Sequence, residues 1–313
     1  MDLDTLRTGG KGAVAQALAA LERRGQDSGV RALLHAAYLA PRAQVIGFTG
    51  PPGVGKSTLL GQVIAQYRQN GQTVGVIAVD PSSKRSGGAL LGDRLRLRGG
   101  AEDQGVFVRS MAARDRLGGL ADLTVAAMVL MRAVYDRVLI ETVGVGQSET
   151  DVAGVADTVI FCIQPGSGDS LQFMKAGIME IPHIAVVTKS DLGATARRAL
   201  ADLRGALSLS ESAPSKETPA APWQVRALSL SAQDGQGIGG LVEQADAHFS
   251  HLQHHQQLLK NRHEQALTWL RESLRDQFGR EGLRKLGQIT LDAQQSPFVR
   301  ADQLAAQISQ SPL

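Results

Sequence analysis

The stretch Gly50-Pro51-Pro52-Gly53-Val54-Gly55-Lys56-Ser57-Thr58 follows the apolar run Val45-Ile46-Gly47-Phe48 and precedes a segment with helical spacing. It fits G-x-x-x-x-G-K-[ST], with the strand before and the helix after that the pattern requires. Glycines let backbone N–H groups turn inward on phosphates, and the following helix adds the positive end of its dipole. In this reading Lys56 reaches the β- and γ-phosphates of a nucleoside triphosphate and the Ser57 hydroxyl ligates Mg²⁺. A flexible Pro/Gly turn is the bland alternative, and the flanking elements weigh against it.

Two further stretches share this layout of a polar end on an apolar strand. Ile140-Glu141-Thr142-Val143-Gly144 places an acid at a strand end with a glycine three residues on. Glu141 there holds Mg²⁺ through water, and the Gly144 N–H senses the γ-phosphate; an ordinary strand-end glutamate is the alternative. Thr188-Lys189-Ser190-Asp191 has the form of a guanine-reading element. The Asp191 carboxylate accepts from the N1–H and N2 amine of guanine, a donor pair that adenine lacks, while the Lys189 stem covers the ring. A site built to pair such donors discriminates strongly, because a mismatched base leaves a polar group unpaired. Ser231-Ala232-Gln233 then supplies a loop whose backbone N–H meets guanine O6. The order of the four elements is more specific than any one of them, and it points to GTP hydrolysed to GDP.

The elements that position these residues follow from the pattern. Between residues 44 and about 190, β-branched runs alternate with helical spacing, which predicts an α/β fold with a mostly parallel sheet flanked by helices. The expected strands are VIGFTG, TVGVIAVD, GVFVRS, RVLIET, DTVIFCIQ, HIAVVTKSD and VRALSLSA. Their carboxyl ends bring Asp80, Glu141 and Asp191 to the rim that holds the glycine loop. Three regions are expected: a helical N-terminal extension over 1–43, a P-loop NTPase domain over 44–253, and a C-terminal helical dimerisation arm over 254–313. The arm rests on a stripe of Leu259, Arg262, His263, Ala266, Leu267, Leu270 and Leu274, which predicts packing against a second subunit. Residues 211–222, with three prolines, read as an exposed loop.

Composition narrows the class. The 313 residues carry a formal net charge of +3, but the basic residues are scattered among acids and aromatics make up only 4%. A nucleic-acid surface is not expected. Cys162 is the single cysteine and reads as a buried strand thiol, consistent with a reducing compartment. No apolar stretch approaches the ~20 residues that span a bilayer, and the acidic start MDLD is unlike a signal peptide; a cytoplasmic protein without a membrane partner is expected. His248, His251, His254 and His255 tempt a metal reading by their helical spacing, but without nearby cysteines or carboxylates they read as solvated surface.

Taken together, GFTGPPGVGKSTL, AVDPSS with GGALLGDR, ETVGVGQSE, PGSGDSLQFMKAGIMEIP and TKSD resemble the MeaB/ArgK family, GTPases associated with methylmalonyl-CoA mutase. The resemblance implies a homodimeric G-protein chaperone that gates cofactor loading or protection of an adenosylcobalamin-dependent acyl-CoA mutase, with an adenosyltransferase as a further candidate partner. It adds Asp80 and Asp93 to Ser57 and Glu141 around Mg²⁺, and makes Lys56, Asp93, Glu141 and Lys175 the catalytic set. It also implies a switch over residues 165–175 in which Asp169 and Lys175 answer the partner. Thr188 stands where many members have asparagine, and Lys84, Arg85 and Asp115 depart from the usual pattern near the switches. No glutamine directly follows Gly144, since Gln147 lies three positions later, so unaided turnover is expected to be slow. The rival readings are a metallochaperone GTPase, an ATPase or kinase linked to amino-acid transport, and a non-hydrolysing nucleotide-dependent scaffold.

Overall fold

The computed structural model describes residues 1–25, 27–80, 103–112, 122–142, 151–166, 181–211 and 222–310. The described strands are β1 (Gln44–Thr49), β2 (Val74–Asp80), β3 (Val106–Ala112), β4 (Arg137–Glu141), β5 (Thr158–Ile163), β6 (Ile184–Val187) and β7 (Arg226–Ser229). They form one sheet in the order β3-β2-β4-β1-β5-β6-β7, parallel throughout. Every expected strand is present. All residues of β1, β5 and β6 are buried, which is why these segments read as unbroken apolar runs rather than alternating ones.

Side chains leave a strand to alternate faces, and the two faces meet different helices. On one face, Ile46, Phe48, Val76, Leu139 and Ile160 pack with Leu59, Leu60, Val63 and Tyr67 of α4 (Lys56–Gln69). On the other, Val45, Ile77, Val138, Ile140 and Val159 meet a helical group. That group is α1 (Leu3–Thr8), α2 (Gly10–Arg24), α3 (Ser28–Leu39) and α5 (Asp122–Val134). The Asp27 carboxylate caps α3 by accepting from the N–H groups of Gly29 and Val30, which fixes where that helix starts. α6 (Ala194–Glu211) covers Phe161, Ile163, Ala185 and Val187 with Ala196, Leu203 and Leu207. α7 (Ile238–His254) joins α4 on its face through Ile238, Leu241, Val242 and Ala245. No described helix is long and apolar enough to cross a membrane.

The C-terminal helices change one expectation. α8 (Gln257–Leu286) is interrupted at Gly279, where φ is 69°, and α9 (Pro297–Gln310) follows it. The inward residues of α8 are Leu258, Ala266, Leu270 and Leu274, the last three packed with Ile289, Leu291 and Leu304. Leu259, expected in the stripe, is 74% exposed. The Ala266, Leu270 and Leu274 part of the stripe is therefore covered within the chain, by α9 and the segment before it. Its apolar character gives no reason for a second subunit.

α8 is bolted to the sheet by a buried ion pair. Arg262 donates from Nε to Asp157 Oδ1 (2.8 Å) and from one terminal nitrogen to Oδ2 (2.7 Å), and also reaches the Ala43 carbonyl (2.9 Å). The same carboxylate accepts from the Val45 N–H (2.8 Å), so one acid ties the starts of β1 and β5 to α8. Side-chain exposure is 10% for Arg262 and 2% for Asp157.

The histidines correct a second expectation. His248 is 1% exposed, because it falls on the sheet-facing stripe of α7 with Leu241, Ala245 and Leu252. Its Nδ1 lies 3.0 Å from the Thr158 hydroxyl, and its ring stacks on His183 at 4.0 Å. His183 Nδ1 accepts from the Val159 N–H (2.9 Å), which places the proton of the neutral ring on Nε2. Trp223 edges onto His248 and donates to the His183 carbonyl. Only His254 and His255 are fully exposed as expected.

Two tests follow from these contacts. Arg262→Met leaves the Asp157 charge buried with a lost bidentate partner and should cost ~3–5 kcal/mol in urea unfolding. Arg42→Met, which breaks the exposed Arg42–Asp136 pair, should cost under ~1 kcal/mol. Equal losses would contradict the bolt. Burial pushes the His183 pKa down to about 4, and that of His248 lower still, with the neighbouring histidines adding to the shift. Both rings are neutral in folded and unfolded chains above about pH 6.5; below it the unfolded chain takes up protons that the folded one refuses. Stability should therefore fall as pH drops from 6.5 toward 4, read as a lower urea midpoint at pH 5 than at pH 7.5. His248→Gln should flatten that slope.

Candidate nucleotide site

β1 ends at Thr49 and the chain turns away at Gly50, where φ is 131°. A β-carbon at Gly50 would sit 2.1 Å from the Cys162 carbonyl oxygen of adjacent β5, so only glycine lets the loop leave the sheet here. Gly55, with φ 97°, turns the chain into α4 and leaves the first N–H groups of the helix uncapped by any side chain. Such a terminus is a ready anion site. Lys56 is 6% exposed, and its ammonium donates to the carbonyls of Gly50 (2.7 Å) and Pro51 (2.9 Å). The cation thus lies over the loop that surrounds the phosphate position. Cys162 below it is fully buried, and burial pushes its thiol up to about 12, so it is a core residue and not a nucleophile.

Ser57 donates its hydroxyl proton to Glu141 Oε1 at 2.6 Å. Glu141 ends β4 directly opposite Phe48 of β1 and Ala78 of β2, so the sheet ladder fixes it beside the loop. The next residue, Thr142, donates its N–H to the Phe48 carbonyl (3.1 Å), and its hydroxyl lies 3.2 Å from that of Thr49. Asp80 ends β2 at the same rim of the sheet. A hydroxyl and a carboxylate already in contact form an all-oxygen donor pair, which fits a hard divalent cation that keeps several waters.

The base-reading residues are joined to the same loop. The Thr188 hydroxyl has two carbonyl acceptors, Val54 (2.7 Å) and Ile163 (3.0 Å), and is 2% exposed. Lys189 adopts a left-handed conformation (φ 55°, ψ 46°) that aims its ammonium at the Gly53 carbonyl (3.1 Å) and Gln164 Oε1 (2.5 Å). Asp191 accepts at Oδ1 from the Ser231 hydroxyl (2.8 Å), and Ser231 itself is fully buried. Asp234 Oδ2 lies 3.1 Å from that hydroxyl, which also accepts from the Asp234 N–H. The Ser190 N–H donates to the Leu230 carbonyl (3.0 Å), docking the Asp191 turn against the end of β7. Ala232 and Gln233 continue the turn after Ser231.

Residues 50–58, Glu141, Thr188, Lys189, Asp191 and Ser231 thus meet along one rim, carried by the ends of β1, β4, β6 and β7. Asp93, Gly144 and Lys175 lie outside the described residues, as do Lys84, Arg85, Asp115 and Asp169. Gln164 and Asp234 are site residues that the motifs do not contain. Gln164 had one readable signal: it is the polar residue that ends the apolar run of β5.

Comparison with known proteins agrees with this geometry. A family model described as methylmalonyl-CoA mutase-associated GTPase MeaB matches residues 14–284. A protein of Pyrococcus horikoshii is 47% identical over 191 residues, covering 60% of this chain and 60% of that one. The mitochondrial methylmalonic aciduria type A homolog of Mus musculus is 40% identical over 196 residues, 62% of this chain and 46% of its own. The chain spans three fifths or less of the length of these two relatives. A crystal structure of LAO/AO transport system kinase superposes with a TM-score of 0.66 at 27% identity, covering 98% of this chain and 96% of that one. The chain belongs to the MeaB family of P-loop GTPases.

Proposed function

We propose that the protein hydrolyses GTP to GDP and phosphate with Mg²⁺, and serves as a G-protein chaperone gating cofactor loading or protection of an adenosylcobalamin-dependent acyl-CoA mutase. The observation that carries the nucleotide is the Ser231–Asp191 hydrogen bond. It holds a carboxylate with acceptor capacity to spare at the sheet rim, beside a lysine tied to the phosphate loop. The client is supported by family membership, and by the methylmalonic aciduria name of the mouse relative. The homodimer and the adenosyltransferase rest on the resemblance alone. The kinase named in the superposed structure would suit an ATP-using transport role, but Asp191 is matched to guanine and not to adenine.

In this mechanism Lys56 exchanges the carbonyls of Gly50 and Pro51 for β- and γ-phosphate oxygens. Loop N–H groups and the α4 terminus spread the charge that develops as water attacks the γ-phosphorus in line. Ser57 and Glu141 would hold Mg²⁺, with Asp80 and Asp93 as the further acids, and when bound it neutralises charge on the phosphates. With no glutamine directly after Gly144, the residues give slow turnover alone. Lys175, brought in by the partner, supplies the additional cation.

Asp191→Asn should weaken GTP at least ~10–100-fold, the cost of one or two mismatched polar groups, and shift preference toward xanthosine triphosphate. Calorimetric titration checks it, and a wild type that binds ATP as tightly as GTP would defeat the assignment. For the client, single-turnover hydrolysis with and without saturating mutase is decisive. Lys175→Ala should keep basal turnover and GTP affinity while losing most of the stimulation, whereas Lys56→Ala should lose binding and turnover in both conditions. An absence of any mutase effect on wild type would remove the chaperone role and leave the GTPase standing.

A further inference from the structure

Away from the nucleotide rim, a cavity of about 30 Å³ lies where α3, α5, α8 and α9 meet the short turn Val152–Gly154. Tyr38, Val129, Val155, Phe298 and other apolar groups form most of its wall. Two arginines also line it, Arg132 and Arg262, and none of its described lining residues is acidic. Arg262 is spent on Asp157 and the Ala43 carbonyl. Arg132 is not: it is 4% exposed, and its buried Nε has no hydrogen-bond partner among the described residues. Its one close side-chain contact of note is the Tyr38 ring, 5.9 Å away. The Trp269 indole N–H, on the same wall, is likewise buried without an acceptor.

Charge accounting makes this arrangement unusual. Among the described residues, Arg132 and Arg262 contribute two positive charges against the single carboxylate of Asp157, so one buried positive charge is left over. Burial, with the neighbouring Arg262 charge, pulls the Arg132 pKa down to about 10, still far above neutrality. The group cannot discharge itself by losing its proton. An isolated buried charge is among the most costly features a fold can carry, and buried polar groups without partners in native structures mark an ordered water or ion. The space is wide enough to admit a small guest. Water would satisfy an N–H but leave the charge uncompensated.

We propose that this cavity is a binding site for a small monovalent inorganic anion of chloride size, held by the Arg132 guanidinium and the Trp269 indole N–H. The anion would complete the charge balance of the Arg132–Asp157–Arg262 cluster and pin α5 to α8.

The test is the thermal unfolding midpoint of the full chain in potassium chloride against potassium gluconate at matched ionic strength. Wild type should show a saturable rise of several degrees with chloride, reproduced by bromide and absent with gluconate. Arg132→Met should remove the chloride dependence, while Arg42→Met, a surface arginine, should keep it. Should Arg132→Met fail to fold, crystals of wild type grown in bromide decide the matter: an anomalous peak in the cavity supports the site, and an empty or water-filled cavity overturns it. Identical wild-type midpoints in chloride and gluconate, or a chloride effect that survives in Arg132→Met, would also overturn it.

Discussion

The nucleotide site depends on one close approach. β1 and β5 run side by side, and the loop after β1 can leave the sheet toward a phosphate only by passing against the Cys162 carbonyl, where Gly50 has no β-carbon to obstruct it. Any other residue at Gly50 would push the loop off β5 and take Lys56 with it, because the lysine ammonium is anchored on the Gly50 carbonyl itself. Seen this way, the position of the Lys56 ammonium is set by a backbone contact between two strands. The side chains around it refine that position.

The same loop is shared by both ends of the nucleotide. Thr188 grips the Val54 carbonyl and Lys189 grips the Gly53 carbonyl, so two consecutive loop residues are held from the base-reading strand. A threonine at 188 does with one hydroxyl what an asparagine would do with an amide: its oxygen sits within reach of both Val54 and Ile163. Guanine recognition and phosphate recognition are consequently not separate devices. Thr188 and Lys189 brace the phosphate loop, and Gln164 extends the brace to the end of β5.

How much of this could be read from the sequence depended on distance along the chain. The phosphate loop and its lysine are contiguous, and the seven strands announced themselves as β-branched runs with polar ends, so the fold and the four site elements were legible. Contacts between distant residues were not. Arg262 and Asp157 are 105 positions apart, and nothing in either neighbourhood names the other. Gln164 was visible only as a polar strand end, without its partner. Two misreadings have a local cause. Gln256 takes a left-handed conformation (φ 55°) between α7 and α8, so the helical phase starts afresh there and Leu258 rather than Leu259 turns inward. The histidines were judged by their polarity as a group, although the spacing of Leu241, Ala245, His248 and Leu252 already put one of them on the stripe of α7 that faces the sheet.

The two rims of the sheet divide the polar work. The carboxyl rim gathers Lys56, Glu141 and Asp191, each already bonded to a neighbouring loop or strand end. The amino rim buries Gln44, Asp157, Arg262 and the His183–His248 pair, whose bonds are largely internal: Gln44 donates to the Ala245 carbonyl and the Thr158 hydroxyl, and Asp157 is filled by Val45 and Arg262. α8 bears on both. It is bolted to the amino rim through Arg262, and its Gln265 amide donates to the carbonyls of Ala153 and Ala156 at 2.9 Å each. Those residues belong to the turn through which the chain, having left Glu141, re-enters the sheet as β5. Gln265 thus closes that turn from the helical shell, and it does so from the wall of the cavity that Arg132 also lines.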